Sequence, residues 1–239
     1  MIIDFHSHIL PGIDDGSRNV EESIKILDIM AENKIDVVCA TPHFYCNEQS
    51  VDNFLEKRQK AYEELKPHLK SNHPKIALGA EVLFDNALVG YEQLPKLCMQ
   101  GTSFILLEMP YVQLTPKIIN GVAEIADSGD VKVIIAHIER YLNFTSMKEL
   151  TELMNLDVLG QINAKSLTRF STKRNCIKLI KNGYVQFLGS DYHRIGRGDV
   201  PVNQGMDILK GKFGEDIEET FSVNGQAALA DESLEYILD

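Results

Sequence analysis

The stretch "IIDFHSHILPGIDDG", Ile2–Gly16, decides how the rest of the chain is read. An apolar run leads into two histidines one residue apart. Two aspartates follow in a turn bounded by Gly12 and Gly16. Along a strand, residues i and i+2 point the same way, so His6 and His8 can reach one ion. Asp14 and Asp15 read either as ordinary turn or helix-cap residues, or as oxygen donors reaching back over the strand end. The residues alone leave Asp14 balanced between those roles and assign Asp15 to the turn.

The same arrangement recurs. Six further short apolar runs follow: "VVCATPH" (37–43), "IALGAEV" (76–82), "FILLEM" (104–109), "VIIAH" (133–137), "VLGQINA" (158–164) and "VQFLGSD" (185–191). Continuous apolar character predicts strands buried on both faces, as in parallel sheets. Amphipathic stretches lie between them. "NVEESIKILDIMAENK" carries apolar residues at helical spacing, with Asn19 or Ser17 as cap. "SVDNFLEKRQKAYEELKPHL" reads as a longer helix with Pro67 near its end. "TPKIINGVAEIADSG" opens on Thr-Pro and stops at Gly129, "TKRNCIKLIKNG" stops at Gly183, and "NQGMDILKGKFG" stops at Gly214. Strand and helix alternating about seven times predicts an α/β barrel or a doubly wound sheet.

Six of the seven runs deliver a metal-capable side chain at or just past their ends: His6 and His8, His43, Glu81, Glu108, His137, then Asp191 and His193. The carboxyl ends of parallel strands face one mouth, where barrel active sites are built. A lone histidine at a strand end is more often a hydrogen-bonded structural residue. A carboxylate closing a buried run is costly unless paired or metal-bound. All of these donors falling at the same strand end is far less expected by chance than any one of them.

Composition sets the outer bounds. The chain has 239 residues, 44% hydrophobic and 25% charged, with a net charge of -11. That acidity predicts no nucleic-acid partner, because no basic surplus is available to displace counterions. No leader-like start and no long apolar run are present, so a cytoplasmic location without membrane insertion is expected. Cys39, Cys46, Cys98 and Cys176 form no CxxC pair and read as free thiols. No arginine stands six residues after any of them, as a phosphate-cradling cysteine loop requires.

The segments "DFHSHILPGIDDGS", "ATPHF", "GAEV", "LLEMPY", "IIAHIERY", "QINAKSL", "FLGSDYHR" and "SVNGQAAL" together resemble the PHP (polymerase and histidinol phosphatase) superfamily. The branch they resemble is that of bacterial manganese-dependent protein-tyrosine phosphatases of capsule and exopolysaccharide clusters. The resemblance spans nearly the whole chain and implies a single domain over 1–239 with a distorted (β/α)7 barrel. It also implies three divalent metal ions, Mn²⁺ or alternatively Fe²⁺ or Zn²⁺. It places His6, His8, Glu81 and Asp191 on one ion. A bridging Glu81 joins Glu108 and His137 on the second, and Asp14, His43 and His193 take the third. The family's His-Pro-Glu-Arg reads "HIER" here, keeping Arg140 but not the proline. A second phosphate-facing arginine falls on Arg194 or Arg197 in "DYHRIGRGD", with Arg197 the better fit.

The activity implied is phosphotyrosine hydrolysis, by in-line attack of metal-activated hydroxide with charge taken up by arginines. The implied partner is the phosphotyrosine-rich tail of a bacterial tyrosine kinase. Lys165, Arg169, Lys173 and Arg174 in "NAKSLTRFSTKR" read as a solvated loop and helix start, or else as a steering patch for acidic peptides. The rival readings are another phosphoesterase of the superfamily, acting on a small phosphate ester or a nucleic-acid end; a metal-dependent amide hydrolase; and a non-catalytic metal-binding protein. Oligomeric state stays open.

Overall fold

All strand pairings are parallel, and most chain steps between neighbouring strands pass through a helix. The computed structural model describes residues 1–233; positions 234–239 of the expected domain lie outside the described residues. The strands are β1 (Ile3–Ser7), β2 (Val37–Ala40), β3 (His43–Phe44), β4 (Lys75–Leu78), β5 (Glu81–Leu83), β6 (Phe104–Glu108), β7 (Lys132–Ile135), β8 (Val158–Asn163) and β9 (Phe187–Gly189). They hydrogen-bond in the orders β1-β2-β4 and β3-β5-β6-β7-β8-β9.

Those two sheets are halves of one wall. Pro42 has no N–H to give a ladder, so the run 37–43 bends and resumes as β3. Across the bends the bonding continues: Thr41 N donates to Ser7 O at 2.8 Å, Gly79 N to Ala40 O at 2.8 Å, and Glu81 N to Pro42 O at 3.0 Å. On the far side, Asp191 N donates to His6 O at 2.7 Å and His8 N to Tyr192 O at 2.9 Å. With β2–β3 and β4–β5 each counted as one bent strand, seven strands close on themselves, as a distorted (β/α)7 barrel requires.

The helices are α1 (Val20–Glu32), α2 (Val51–Leu65), α3 (Pro116–Asp127), α4 (Met147–Met154), α5 (Ala164–Thr168), α6 (Phe170–Lys181), α7 (Val202–Phe213) and α8 (Asp216–Leu229). Asn19, not Ser17, caps α1 by accepting from Glu22 N; Ser17 is tied instead to Asn19 O and Ser23. Pro67 lies in the 3₁₀ turn that ends α2. Thr115 caps α3. Gly129, Gly183 and Gly214 follow their helices with positive φ, as expected.

Apolar side chains pack in two shells. One lies between the barrel and the helices and contains Leu27, Phe54, Ile105, Leu107 and Leu179. The other fills the barrel interior with Phe5, Phe104, Leu106, Ile134, Leu159 and Phe187. Phe5 and Phe187 stack there with centroids 4.3 Å apart. Residues on β6 alternate between the shells, so Glu108 continues the inward row of Phe104 and Leu106. The interior below the carboxylates is therefore filled, and only the strand ends stay open for chemistry.

The bend before Glu81 has its own brace. Arg58 of α2 is buried, lies over the Phe54 ring, and donates from Nη1 to Gly79 O at 2.7 Å. Burial pulls its pKa down to about 10, so its cation is costly but retained at neutral pH. Arg58→Ala leaves the buried Gly79 carbonyl unpaired. It is expected to destabilise the fold by about 1–3 kcal/mol, read as a shift in the urea unfolding midpoint. An unshifted midpoint would contradict the brace.

Candidate metal centre

The candidate donors arrive from several different strand ends. β1 carries His6, and His8 follows its end; their Nε2 atoms stand 3.1 Å apart. Glu81 opens β5 and places Oε2 3.2 Å from both of those nitrogens and 3.0 Å from His43 Nδ1. Asp191 Oδ1 lies 3.6 Å from His6 Nε2 and 3.4 Å from His8 Nε2. On the other side of Glu81, His137 Nε2 lies 2.8 Å from Oε1 and 3.5 Å from Glu108 Oε1. The expected sets His6–His8–Glu81–Asp191 and Glu81–Glu108–His137 are thus each brought together, with Glu81 between them.

Backbone strain aims two of these groups. Strand alternation puts Ala136 inside, so His137 would face outward; its left-handed φ of 31° turns the ring back to the mouth. Asp191 likewise has φ 53°, so Asp191 and His193 are not the plain strand pair that their spacing suggests. His193 Nδ1 instead contacts Asp191 O at 2.9 Å, which leaves Nε2 facing the mouth.

The acidic turn differs from the sequence reading. Asp14 Oδ2 contacts His8 Nδ1 at 2.7 Å and accepts from His43 N at 3.1 Å; Oδ1 accepts from Gly16 N at 2.8 Å. These contacts hold His8 and the turn. Asp15, read as a turn residue, lies with Oδ1 3.3 Å from His193 Nε2 and 3.5 Å from His43 Nε2. The cluster that brackets His43 and His193 is therefore His8, Asp15, His43 and His193. A Cβ on Gly16 would overlap the backbone and Cβ of His8, so only glycine lets the turn fold so closely over the strand end.

A polar layer behind the donors was not singled out from the sequence. Gln161 Oε1 accepts from His137 N at 2.8 Å and lies 3.3 Å from His6 Nδ1, fixing that nitrogen as the protonated one. Asn163 Nδ2 donates to Asp191 Oδ2 at 3.0 Å. Gln161 and Asn163 sit two apart on β8, so both project to the same side. Two amides at that spacing in an otherwise apolar run were the available signal. Gly189 keeps this layer tight, since a Cβ there would overlap Gln161 and His6.

The electrostatics follow from burial. Burial raises the Asp14 carboxyl, but His8 and the hydrogen bonds outweigh it and hold it near about 2. Burial lowers His6 and His8, yet the carboxylates around them leave both raised overall. Burial and nearby Arg140 push His137 down to about 4, so it is neutral near pH 7 and free to act as a ligand. Glu108 is raised to about 7 by burial and by Glu81.

These groups pass the test of fitting metal ions. Glu81 Oε2, His43 Nδ1 and His137 Nδ1 are buried without a hydrogen-bond partner. Two donors each about 2.1 Å from one ion at tetrahedral angles stand about 3.4 Å apart, close to the spacings around Glu81 Oε2. A buried carboxylate oxygen crowded by three imidazole nitrogens but bonded to none is arranged for cations.

Arginines line the mouth. Arg140 donates from Nη2 to Asp191 Oδ2 and from Nη1 to the Tyr111 hydroxyl at 3.2 Å. Arg197 Nη1 stands 3.2 Å from Asp15 Oδ2. Arg194 spends its Nε on Gly16 O at 2.8 Å and so braces the acidic turn. Lys165 Nζ holds the Arg197 loop through Arg197 O at 3.0 Å and Asp199 Oδ1 at 2.9 Å. Arg169, Lys173 and Arg174 are exposed and do not line the mouth, whereas Lys165 of the same segment does. Ile138, the residue after His137, is fully buried at the start of a 3₁₀ turn, Ile138–Asn143, that carries Arg140. Cys39, Cys98 and Cys176 are buried and Cys46 half-buried; burial raises every one of these thiols.

A parallel barrel with imidazole and carboxylate donors gathered at its strand ends is the architecture of a metal-centred barrel enzyme. The chain belongs to the capsular polysaccharide synthesis family CpsB/CapC, whose model matches residues 2–230. It is 27% identical over 248 residues to the tyrosine-protein phosphatase CpsB of Streptococcus pneumoniae, covering 97% of this chain and 99% of that one. It is 24% identical over 243 residues to the tyrosine-protein phosphatase YwqE of Bacillus subtilis, covering 98% and 93%. A crystal structure from the work on YwqE of Bacillus subtilis and CpsB of Streptococcus pneumoniae, described as unique metal-dependent tyrosine phosphatases, superposes with a TM-score of 0.83. It is 21% identical and covers 97% of this chain and 96% of that chain. No helix among the described residues is long and apolar enough to cross a membrane.

Asp14 and Asp15 are separable by experiment. Asp14→Asn is expected to weaken divalent-metal affinity by about 10- to 100-fold without changing the number of ions bound, as for a residue behind a ligand. Asp15→Ala is expected to lower the number bound. Titration calorimetry with elemental analysis reads both, and the reverse pattern would restore Asp14 as the ligand.

Proposed function

We propose that this chain is a metal-dependent phosphomonoesterase that hydrolyses protein phosphotyrosine, on the tail of a bacterial tyrosine kinase regulating capsular or exopolysaccharide synthesis. The observation that carries the reading is the unbonded Glu81 Oε2 among three imidazole nitrogens, on the floor of a mouth that also holds Arg140 and Arg197. The names and metal dependence of the relatives support the substrate class.

Three divalent ions fit the donors. His6, His8, Glu81 and Asp191 would hold one; Glu81, Glu108 and His137 a second; Asp15, His43 and His193 the third. Mixed imidazole and carboxylate donors suit Mn²⁺, with Fe²⁺ and Zn²⁺ as alternatives. Bound ions supply Lewis-acid charge and lower the pKa of water from about 15.7 toward about 7. Four ligand carboxylates against three divalent ions leave a formal surplus of about two positive charges, which suits a phosphate dianion.

The chain's own residues do the rest. Gln161 and Asp14 hold His6 and His8 in the tautomers that present Nε2 to the mouth. Arg140, oriented by Tyr111 and Asp191, and Arg197, oriented by Asp15 and the Lys165–Asp199 brace, take up charge on the phosphoryl oxygens. Arg194 acts through the turn it braces. A tyrosyl leaving group, with a pKa near ~10, needs little protonation. No thiol step is involved, because each cysteine is held protonated by burial.

With Mn²⁺, phosphate release from a tyrosine phosphopeptide is expected to exceed that from histidinol phosphate or single-stranded DNA by a wide margin. A chelator is expected to abolish it. His6→Ala and Asp191→Ala are expected to remove activity and bound metal while circular dichroism stays native. Arg140→Ala is expected to lower kcat/KM by about 10²–10³-fold, as for loss of a charge-stabilising donor. Cys46→Ser is expected to be fully active. Faster turnover of histidinol phosphate would overturn the substrate reading.

A further inference from the structure

The mouth has two lobes that share Arg140, Asp191 and His193. One, of about 320 Å³, is polar and is lined further by Asn163, Lys165, Arg197 and Asp199. The other, of about 390 Å³, is walled by Tyr45, Leu83, Pro110 and Tyr111 and opens onto the donor carboxylates. Of the residues that line it, Tyr45, Leu83, Pro110 and Tyr111 carry no donor atom in any of the three ion sets above.

Its two rings are fixed in place. Tyr45 stacks on His43 at 5.5 Å and 19°, and Tyr111 on His137 at 6.2 Å and 23°. Phe144 packs on Tyr111 with centroids 5.5 Å apart, and buried Tyr141 lies behind at 6.1 Å. The Tyr141 hydroxyl accepts from Met109 N at 2.9 Å, anchoring the chain that presents Pro110 and Tyr111. Tyr111 is nonetheless 42% exposed, so part of its ring is open to a ligand.

We propose that this lobe is the subsite for the aromatic ring of an aryl phosphate monoester, with Tyr45 and Tyr111 as its specificity-determining walls. The proposal rests on the phosphotyrosine reading above and adds how the ring is told from an alkyl chain. The ester straddles the lobes: its phosphoryl group faces Arg140 and the donors, and its ring lies on apolar surface. Alkyl phosphates reach the same arginines but leave the tyrosine faces wet. The Tyr111 hydroxyl also orients Arg140, so the two lobes are coupled at one residue.

The test uses the Mn²⁺-loaded full chain. The kcat/KM ratio is measured for a phosphotyrosine peptide over the same peptide carrying phosphoserine. In parallel, the binding of phenylphosphonate and methylphosphonate is compared by calorimetry. Tyr45→Ala and Tyr111→Ala are each expected to cut both preferences by about two- to tenfold, the worth of one aromatic pair. Tyr111→Phe keeps the ring and is expected to keep both preferences, although its overall rate falls with the lost bond to Arg140. Unchanged preferences in both alanine variants would overturn the subsite, as would equal binding of the two phosphonates by the wild-type protein. A wild-type protein that binds phenylphosphonate preferentially but hydrolyses neither peptide would overturn the phosphatase reading and leave the subsite standing.

Discussion

The structure turns on one buried carboxylate. Glu81 is almost wholly inaccessible, and its Oε2 meets three imidazole nitrogens at 3.0–3.2 Å without bonding to any of them. A bare charge in that position carries a desolvation penalty of several kcal/mol. The surrounding protein shows the strain of satisfying it. Glu108 is held near about 7, while His6, His8 and His43 are shifted toward their charged forms. Cations between these donors resolve the whole set at once.

The barrel's distortions serve that constraint. Pro42 bends β2 into β3 and brings His43 to Glu81, its register partner. The brace of Arg58 on Gly79 holds the bend from which Glu81 emerges. Left-handed backbone at His137 and Asp191 turns inward two side chains that regular strand alternation would not deliver. Gln161 and Asn163 then tie β8 to His6, His137 and Asp191. Rigid scaffold and second-layer hydrogen bonds are what hold a multi-ligand site in register.

Much of this was legible in the chain. Short apolar runs ending in His, Glu or Asp mark parallel strands and their carboxyl ends, because strand position and side-chain direction are linked by a fixed period. The helices capped at Asn19 and Thr115, and those stopped by Gly129, Gly183 and Gly214, carry local signals that tertiary packing did not override. What escaped is what depends on three-dimensional closure. Asp14 and Asp15 are adjacent and identical in type, and only the fold-back over Gly16 decides which faces His193. Helix α4 had a readable capping box at Ser146 and Glu149 but is short. Helix α8 was hidden by the turn-like pair Asn224-Gly225 in its middle. The tyrosine walls of the mouth left no periodic trace at all, since Tyr45 and Tyr111 come from different loops.

The central claim is that the strand-end donors exist to hold cations around Glu81. Anomalous diffraction at the manganese edge, from crystals grown with Mn²⁺, tests it most directly. The account predicts strong peaks on both sides of the Glu81 carboxylate, with a further one bounded by Asp15, His43 and His193. A difference map with no anomalous peak within bonding reach of Glu81, in crystals shown to contain Mn²⁺, would contradict it.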